Sequence, residues 1–261
     1  MGSTRAISRI VLLALWTLPL MPLQWLFVRL GLAAARWLPV VYHRGLCRLI
    51  GFRVLRFGQP TDERPVLLVA NHTSWLDIPV LSALSPLSFV AKHEVDSWPF
   101  FGTLARLQRT VFVERRAVRA AEGRDDLQRR LDAGDRLVLF PEGTSSDGNR
   151  VLPFKTAFFA VASNGVGGRA LTVQPVSVAY VRLDGLPVGR RFRPLFAWYG
   201  GMALLPHLWQ VLKLGRSEVE VEFHPPVTIA GFRDRKALAA HCHETIAHGL
   251  GRALSGRRPQ A

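Results

Sequence analysis

Apolar positions run almost unbroken from Ile10 to Val28 and again from Leu30 to Tyr42, whereas from Gly51 onward short apolar runs alternate with longer mixed segments. The first stretch holds nineteen uncharged residues. As a helix rising ~1.5 Å per residue it would reach about 28 Å, close to the ~30 Å hydrocarbon core of a bilayer. Pro19 and Pro22 interrupt that run, and the second stretch carries only Arg36. Two proline-broken helices folded against each other and dipped into one leaflet fit this pattern better than a single crossing, because Arg29 and Arg36 can snorkel to head groups. A signal peptide is the other reading, with a basic start, an apolar middle and the small residues Ala33, Ala34 and Ala35; the run is long for one, and Arg29 interrupts it. Residues 1–50 are therefore expected to form membrane-associated helices, and residues 51–261 an α/β domain with a loose basic tail from Gly251.

Within the second part, the alternation predicts strands near 66–70, 87–91, 110–113, 136–140, 171–180 and 218–223. Helices are predicted near 75–84, 97–107, 116–133, 154–163, 203–213 and 234–254. The 116–133 segment places Arg116, Arg119, Arg124, Arg129 and Arg130 among few acids and reads as a solvated, basic helix. Gly165-Val166-Gly167-Gly168 reads as a loop after a helix ending at Asn164.

Composition narrows the partners. Lys and Arg number 34 against 19 Asp and Glu, a formal charge of +15, and hydrophobic residues make up 49% of the chain. Such a charge predicts attraction to nucleic acid, an anionic lipid surface or an acidic carrier protein, and the hydrophobic fraction argues against disorder. Cys47 and Cys242 stand alone and far apart, which suggests a reducing compartment rather than a disulfide framework.

The candidate chemistry gathers at strand ends. Val66-Leu67-Leu68-Val69 empties into Ala70-Asn71-His72-Thr73-Ser74-Trp75-Leu76-Asp77, a histidine with a carboxylate five residues later. In a regular helix positions five apart point about 140° away from each other, so His72 and Asp77 meet only across a bend. With His72 in the loop and Asp77 in the first helical turn, the carboxylate can accept from one ring nitrogen and leave the other free as a base. A capping box is the competing reading, since Ser74-Trp75-Leu76-Asp77 fits S-x-x-D and would turn Asp77 back to the Ser74 backbone. Pro79 favours a helix start near Trp75 or later. Spacing alone leaves both open.

A second strand, Arg136 to Phe140, is ended by Pro141 and followed by Glu142-Gly143-Thr144-Ser145-Ser146-Asp147-Gly148. Gly143 allows a backbone to approach a ligand, Thr144 offers a hydroxyl, and Glu142 can hold a hydroxyl or an arginine; a simple tight turn is the alternative. Val111-Phe112-Val113-Glu114-Arg115 ends a third strand with a guanidinium suited to phosphate or carboxylate. His241, Cys242, His243, Glu244 and His248 invite a metal reading, but His-Glu-x-x-x-His is one residue too long for the zinc spacing, so no metal is expected there.

Taken together these blocks resemble the lysophospholipid acyltransferase family typified by bacterial 1-acyl-sn-glycerol-3-phosphate acyltransferase. Asn71 to Asp77 matches its N-H-x-x-x-x-D block, Phe140-Pro141-Glu142-Gly143-Thr144 its F-P-E-G-T block, and Val173-Gln174-Pro175-Val176 its later apolar-proline block. Arg115 falls where another block ends in arginine. The resemblance covers roughly residues 50–225 and the apolar N-terminus. It implies a glycerol-3-phosphate acyltransferase-like α/β fold, a mixed sheet flanked by helices with an N-terminal membrane-embedded helical pair. It also implies transfer of a fatty acyl group from acyl carrier protein or coenzyme A to a lysolipid hydroxyl, with no bound cofactor. On that reading His72 is the base, Asp77 its orienting partner, and Arg115, Glu142, Gly143, Thr144 and Lys155 hold the acceptor. The implied location is the bacterial inner membrane, with the site on the cytoplasmic face. Two departures stand out: Ser145 replaces an arginine common after E-G-T, and Arg109 stands where glycine is common and could restore the lost charge. Glu142 to Gly148 also resembles the branch that acylates lyso-ornithine lipid. Lysophosphatidic acid is held first as acceptor, lyso-ornithine lipid a close second.

Two rival classes remain, a non-catalytic basic membrane-surface module and a nucleic-acid binder; the latter lacks any motif for reading nucleic acid. Trp98, Phe100 and Phe101 read as core packing or as a border for an acyl chain. Arg190-Arg191-Phe192-Arg193 reads as a lipid or carrier contact, or as a solvated loop.

Overall fold

The computed structural model describes residues 2–113, 120–164 and 170–257. Arg115, Arg116, Arg119, the Gly165 to Gly168 stretch and the last four residues lie outside the described residues. In chain order the elements are α1 (Gly2–Arg29), α2 (Ala34–Leu49), β1 (Phe52–Phe57), β2 (Val66–Ala70), α3 (Asp77–Ser82), β3 (Ser88–Lys92), α4 (Phe101–Leu107) and β4 (Val111–Val113). There follow α5 (Ala120–Asp132), β5 (Arg136–Leu139), α6 (Ala160–Asn164), β6 (Thr172–Leu183), β7 (Leu186–Pro187), α7 (Leu204–Lys213), β8 (Ser217–Phe223), β9 (Val227–Thr228) and α8 (Arg235–Leu254).

The strands form one mixed sheet in the order β1-β8-β6-β2-β5-β3-β4, with β7 and β9 paired to β6. From β6 to β4 every neighbour along this path is parallel, and the β6–β8 pair is antiparallel. The expected mixed sheet flanked by helices is thus what the chain forms. Strand β2 sits at its centre with every residue buried, which is why it reads as an unbroken apolar run rather than an alternation. Leu68 and Ala70 pack with Cys47, Val80 and Val211 of α2, α3 and α7 on one face. Leu67 and Val69 pack with Leu131, Ala162 and Leu238 of α5, α6 and α8 on the other. Helix α8 comes close enough to the sheet that a Cβ on Gly249 would lie 2.5 Å from the Ser177 hydroxyl. Cys47 and Cys242 are both free and buried.

The N-terminal helices pair as expected but differ from the proline-broken reading, since α1 runs unbroken through Pro19 and Pro22. Its inward stripe is formed by Ala6, Arg9, Leu13, Trp16, Thr17, Leu20, Met21 and Gln24, while Ile7, Val11, Leu15, Leu18, Trp25 and Leu26 are exposed. The polar Thr17 and Gln24 thus face the protein while the outward face is apolar, the reverse of a soluble amphipathic helix. Packing explains why the prolines are tolerated: α1 is contacted by α7, α2 and α4 in turn, and Arg5 and Arg9 donate to the last carbonyls of α7 at Lys213, Leu212 and Leu214. At 28 residues the helix is long and apolar enough to cross a membrane by length and composition.

The basic helix also departs from its reading. Arg129 is exposed, but Arg130 turns inward on to buried Asp135, which Arg109 and Arg36 also engage. A buried carboxylate gathers cations because an unpaired charge there is costly.

Candidate active site

Two loops leave the carboxyl edge of the sheet side by side, one after β2 and one after β5, where α/β folds place ligands. Asn71 fixes the first. Its side chain donates to the Val178 carbonyl at 2.9 Å and accepts from the Val178 N–H at 2.8 Å, so an amide continues the β2–β6 pairing where the strand itself has ended. His72 comes next, with its N–H donating to Glu142 Oε1 at 2.7 Å and its carbonyl accepting from Ser146 N–H at 2.8 Å. The Thr73 carbonyl accepts from Trp198 N–H at 3.0 Å. The backbone under the imidazole is therefore held from three segments.

The ring is held as firmly. Its plane stacks on Phe140, centroids 4.2 Å apart, and Nδ1 lies 2.8 Å from Asp77 Oδ2. Asp77 is fully buried, and the His72 side chain is 20% exposed. The same Oδ2 accepts from Thr73 N–H at 2.7 Å and Ser74 N–H at 3.0 Å, and Oδ1 accepts from the Tyr180 hydroxyl at 2.8 Å. Dyad and capping box are thus not alternatives. The Asp77 carboxylate reaches back to the Ser74 N–H as a capping acid would and holds His72 as well, while the buried Ser74 hydroxyl has no partner among the described residues. A carboxylate with three N–H donors on Oδ2 selects the Nδ1–H tautomer, because Nδ1 must donate. Nε2, the nitrogen suited to take a proton, has no protein hydrogen bond among the described residues.

Glu142 is 2% exposed. Its second oxygen accepts from Leu152 N–H at 2.9 Å, so both oxygens are engaged by backbone and the side chain braces the two loops. Burial pushes its acid up to about 8, against the pull of the His72 and Leu152 N–H groups. The ordinary value is 4.5, so the folded chain keeps a proton that the unfolded chain releases between about 4.5 and 8. Stability from this group is present in full below 4.5 and is lost as pH rises through 8. The Glu142→Gln protein should therefore lag wild type in thermal midpoint most at low pH, the gap narrowing from pH 4.5 to 8; a gap that widens over this range would refute the assignment.

Gly143 has φ +67°, and a Cβ there would lie 2.7 Å from Lys155 Nζ. The lysine's stem thus lies over the loop, and its ammonium is exposed. Thr144 is exposed beside it and Ser145 partly so. The structure therefore brings together His72, Asp77, Glu142, Gly143, Thr144 and Lys155, while Arg115 lies outside the described residues. Arg109 does not join them. Its guanidinium is spent on Asp135 at 2.8 Å, at the amino-terminal edge of the parallel strands, so it does not restore the charge missing at Ser145.

Three partners were not foreseen. Tyr180 reaches Asp77 across 103 residues. Trp75, inside the motif, donates to Nδ1 of His207 on α7 at 2.9 Å, and burial holds the His207 imidazole below its ordinary value, in the neutral form that can accept. Trp198 meets Trp98 edge to face, centroids 5.9 Å apart. The only available signal was that Tyr180 and Trp198 are large aromatics bearing a polar atom, which usually finds a partner when buried.

Behind the motif lies a cavity of about 250 Å³ lined largely by apolar groups, including Leu20 and Met21 of α1, Leu46 of α2, Trp75, Phe89 and Trp98. Phe101 also lines it, whereas Phe100 is exposed. Phe89 stacks on Phe140, which stacks on His72, so one row of rings connects the cavity wall to the imidazole. The His241–His248 stretch forms no ligand set: Cys242 is in the core, His241 packs on Phe232 and His243 on Phe154. Among the described residues no group of three or more His, Cys, Asp and Glu converges as metal ligands.

Comparison with known proteins adds a family pattern and several relatives. The pattern of the family described as Acyltransferase matches residues 54–179. A lyso-ornithine lipid O-acyltransferase of Brucella abortus is 46% identical over 100% of this chain and 99% of its own length. One of Rhizobium meliloti is 44% identical over 96% of this chain and 87% of its own. A 1-acyl-sn-glycerol-3-phosphate acyltransferase of Neisseria gonorrhoeae is 35% identical over 74% of this chain and 72% of its own. The fold is similar to the crystal structure of the 1-acyl-sn-glycerophosphate acyltransferase of Thermotoga maritima, with a TM-score of 0.69 at 21% identity over the whole of both chains.

Proposed function

The chain belongs to the acyltransferase family, and we propose that within it the protein moves a fatty acyl group from an acyl thioester to the free hydroxyl of lyso-ornithine lipid, with His72 as the base. One observation carries the chemistry: an imidazole held through Nδ1 by a buried carboxylate, with Nε2 left free at the mouth of two loops. As the acceptor oxygen attacks the thioester carbonyl, Nε2 takes its proton, and Asp77 stabilises the imidazolium. The tetrahedral adduct then expels the thiolate, which recovers that proton. No acyl-enzyme is required. A positioned base of this kind contributes about 10²–10⁴ in rate, and positioning supplies much of the rest.

The acceptor is carried by the two near-full-length relatives named for lyso-ornithine lipid. This inverts the order in which motif reading ranked the two acceptors. Site chemistry agrees with it. With Ser145 in place of arginine and Arg109 spent on Asp135, Lys155 is, among the described residues, the cation that lies against Gly143, and one ammonium there suits a carboxylate. Glu142 would act by bracing His72 rather than by touching the acceptor, and Arg115 would add a second cation. Lysophosphatidic acid is the second reading, supported by the Neisseria relative. The donor is acyl carrier protein or coenzyme A loaded with a fatty acid, and the apolar cavity suits the acyl chain. The outward apolar face of α1 supports membrane association; the place assigned to the protein is the bacterial inner membrane, with the site on the cytoplasmic face.

Purified full-length protein in lipid vesicles, given labelled acyl carrier protein or acyl-coenzyme A, should acylate lyso-ornithine lipid at least about tenfold faster than lysophosphatidic acid, a discrimination of about 1.4 kcal/mol. Equal rates, or a faster reaction with lysophosphatidic acid, would overturn the acceptor assignment. Absence of product from any lysolipid would overturn the reaction.

A further inference from the structure

Of the four hydrogen bonds that reach the Asp77 carboxylate among the described residues, three come from its own loop and converge on Oδ2, and the fourth comes from β6 and lands alone on Oδ1. Its donor, the Tyr180 hydroxyl, lies 2.8 Å away, and Tyr180 is 4% exposed. The ring is fixed by stacking on Phe196, centroids 5.1 Å apart, and by an edge contact with Phe52. We propose that Tyr180 is a positioning residue that sets the basicity of His72 through Asp77, an inference that rests on reading His72 as the base.

The coupling is electrostatic. A buried carboxylate divides its negative charge between two oxygens according to the donors each receives. Here the hydroxyl draws charge to Oδ1, away from the oxygen that holds the imidazole. Without it Asp77 would stabilise the imidazolium more strongly, and more of the histidine would be protonated before substrate arrives, when it must be neutral to act. Tyr180 therefore works as a brake on the dyad. Burial and the Asp77 charge both keep its own phenol protonated, hence a donor. Other titratable groups face the cluster from neighbouring elements: Glu142 after β5, and Cys47 of α2, which acts on the Tyr180 phenol. Lys155 over Gly143, and Arg193, bonded to Asn149 and the Leu254 carbonyl, lie on adjacent segments without bonding to the pair.

Tyr180→Phe keeps the stack and removes only the donor. The experiment is an NMR titration of the His72 imidazole in full-length protein in lipid nanodiscs, with His72→Ala assigning the resonance and the pH profile of acyl transfer measured alongside. Tyr180→Phe should raise the His72 midpoint and move the acid limb of the rate profile with it. Fluorotyrosine incorporation strengthens the donor and should move the midpoint the opposite way in wild type, and not at all in a Tyr180→Phe background; the wild-type arm decides the matter if the phenylalanine variant does not fold. An unchanged or lowered midpoint in Tyr180→Phe would overturn the proposal, as would a fluorotyrosine shift that persists without Tyr180, whereas a purely structural tyrosine would alter thermal stability and leave the midpoint in place. The titration needs no substrate, so an inactive wild-type protein would overturn the reaction proposed above and leave this coupling to be judged by its own readout.

Discussion

Replacing His72 by alanine should lower acyl transfer by about 10²–10⁴-fold, the contribution expected of a positioned base, while leaving fold and membrane binding intact. The local structure explains why the loss should be confined to chemistry. The hydrogen bonds that anchor His72 and Thr73, to Glu142 and from Ser146 and Trp198, use backbone groups of this segment that alanine retains. The imidazole itself contributes the bond to Asp77 and the stack on Phe140. Removing it leaves Asp77 with three other donors, so the buried carboxylate is not orphaned. Initial rates with labelled acyl donor, read beside vesicle co-sedimentation and a melting curve, check this. Wild-type rates in the alanine protein would end the mechanism proposed here.

The second large effect is expected at Asp77, and its two substitutions should part company. In Asp77→Asn the amide oxygen can take the place of Oδ2 and keep the Thr73 and Ser74 N–H bonds. Its NH₂ then faces the Tyr180 hydroxyl, which can turn and accept. The fold survives, the negative charge is gone, and the imidazolium formed during transfer loses its partner; a fall of about 10²–10⁴-fold in turnover follows, with modest change in KM. Asp77→Ala instead leaves three N–H donors and one hydroxyl unpaired in a buried site, each at about 1–3 kcal/mol. That protein should melt well below the asparagine variant. Equal melting points for the two would show that the fold does not depend on the carboxylate's bonds.

How much of this could be read from the chain depends on how far apart the partners lie. Strand β2 and the loop after it were legible because everything they need locally lies within the fourteen residues from Val66 to Pro79: an apolar run, a bend, a carboxylate and a proline in the first turn. The same shortness left the dyad and the cap looking like rivals, since spacing does not reveal that one carboxylate oxygen can serve a ring nitrogen and two amides at once. Tyr180 was hidden by a separation of 103 positions along the chain, and a tyrosine in an apolar strand looks like core. Arg109 misled for a related reason. Its type suited an anion, but Asp135 comes 26 residues later and claims it at the other end of the sheet. Strand β1 escaped notice because Arg53 and Arg56 break its apolar run; as an edge strand beside β8 it can expose them. The prolines of α1 were overweighted, because local propensity yields when a helix is packed along its length.

That packing bears on any attempt to make a water-soluble version of the enzyme. Helix α1 looks like a detachable anchor, yet Leu20 and Met21 are panels of the cavity wall, and Arg5 and Arg9 tie off the end of α7, which carries His207 against Trp75. Cutting it away would unroof the chamber and loosen a beam that bears on the loop of His72 and Asp77. Solubility would have to be engineered by repainting the outer surface at Ile7, Val11, Leu15, Leu18 and Leu26 with polar side chains, leaving the inner stripe as it is.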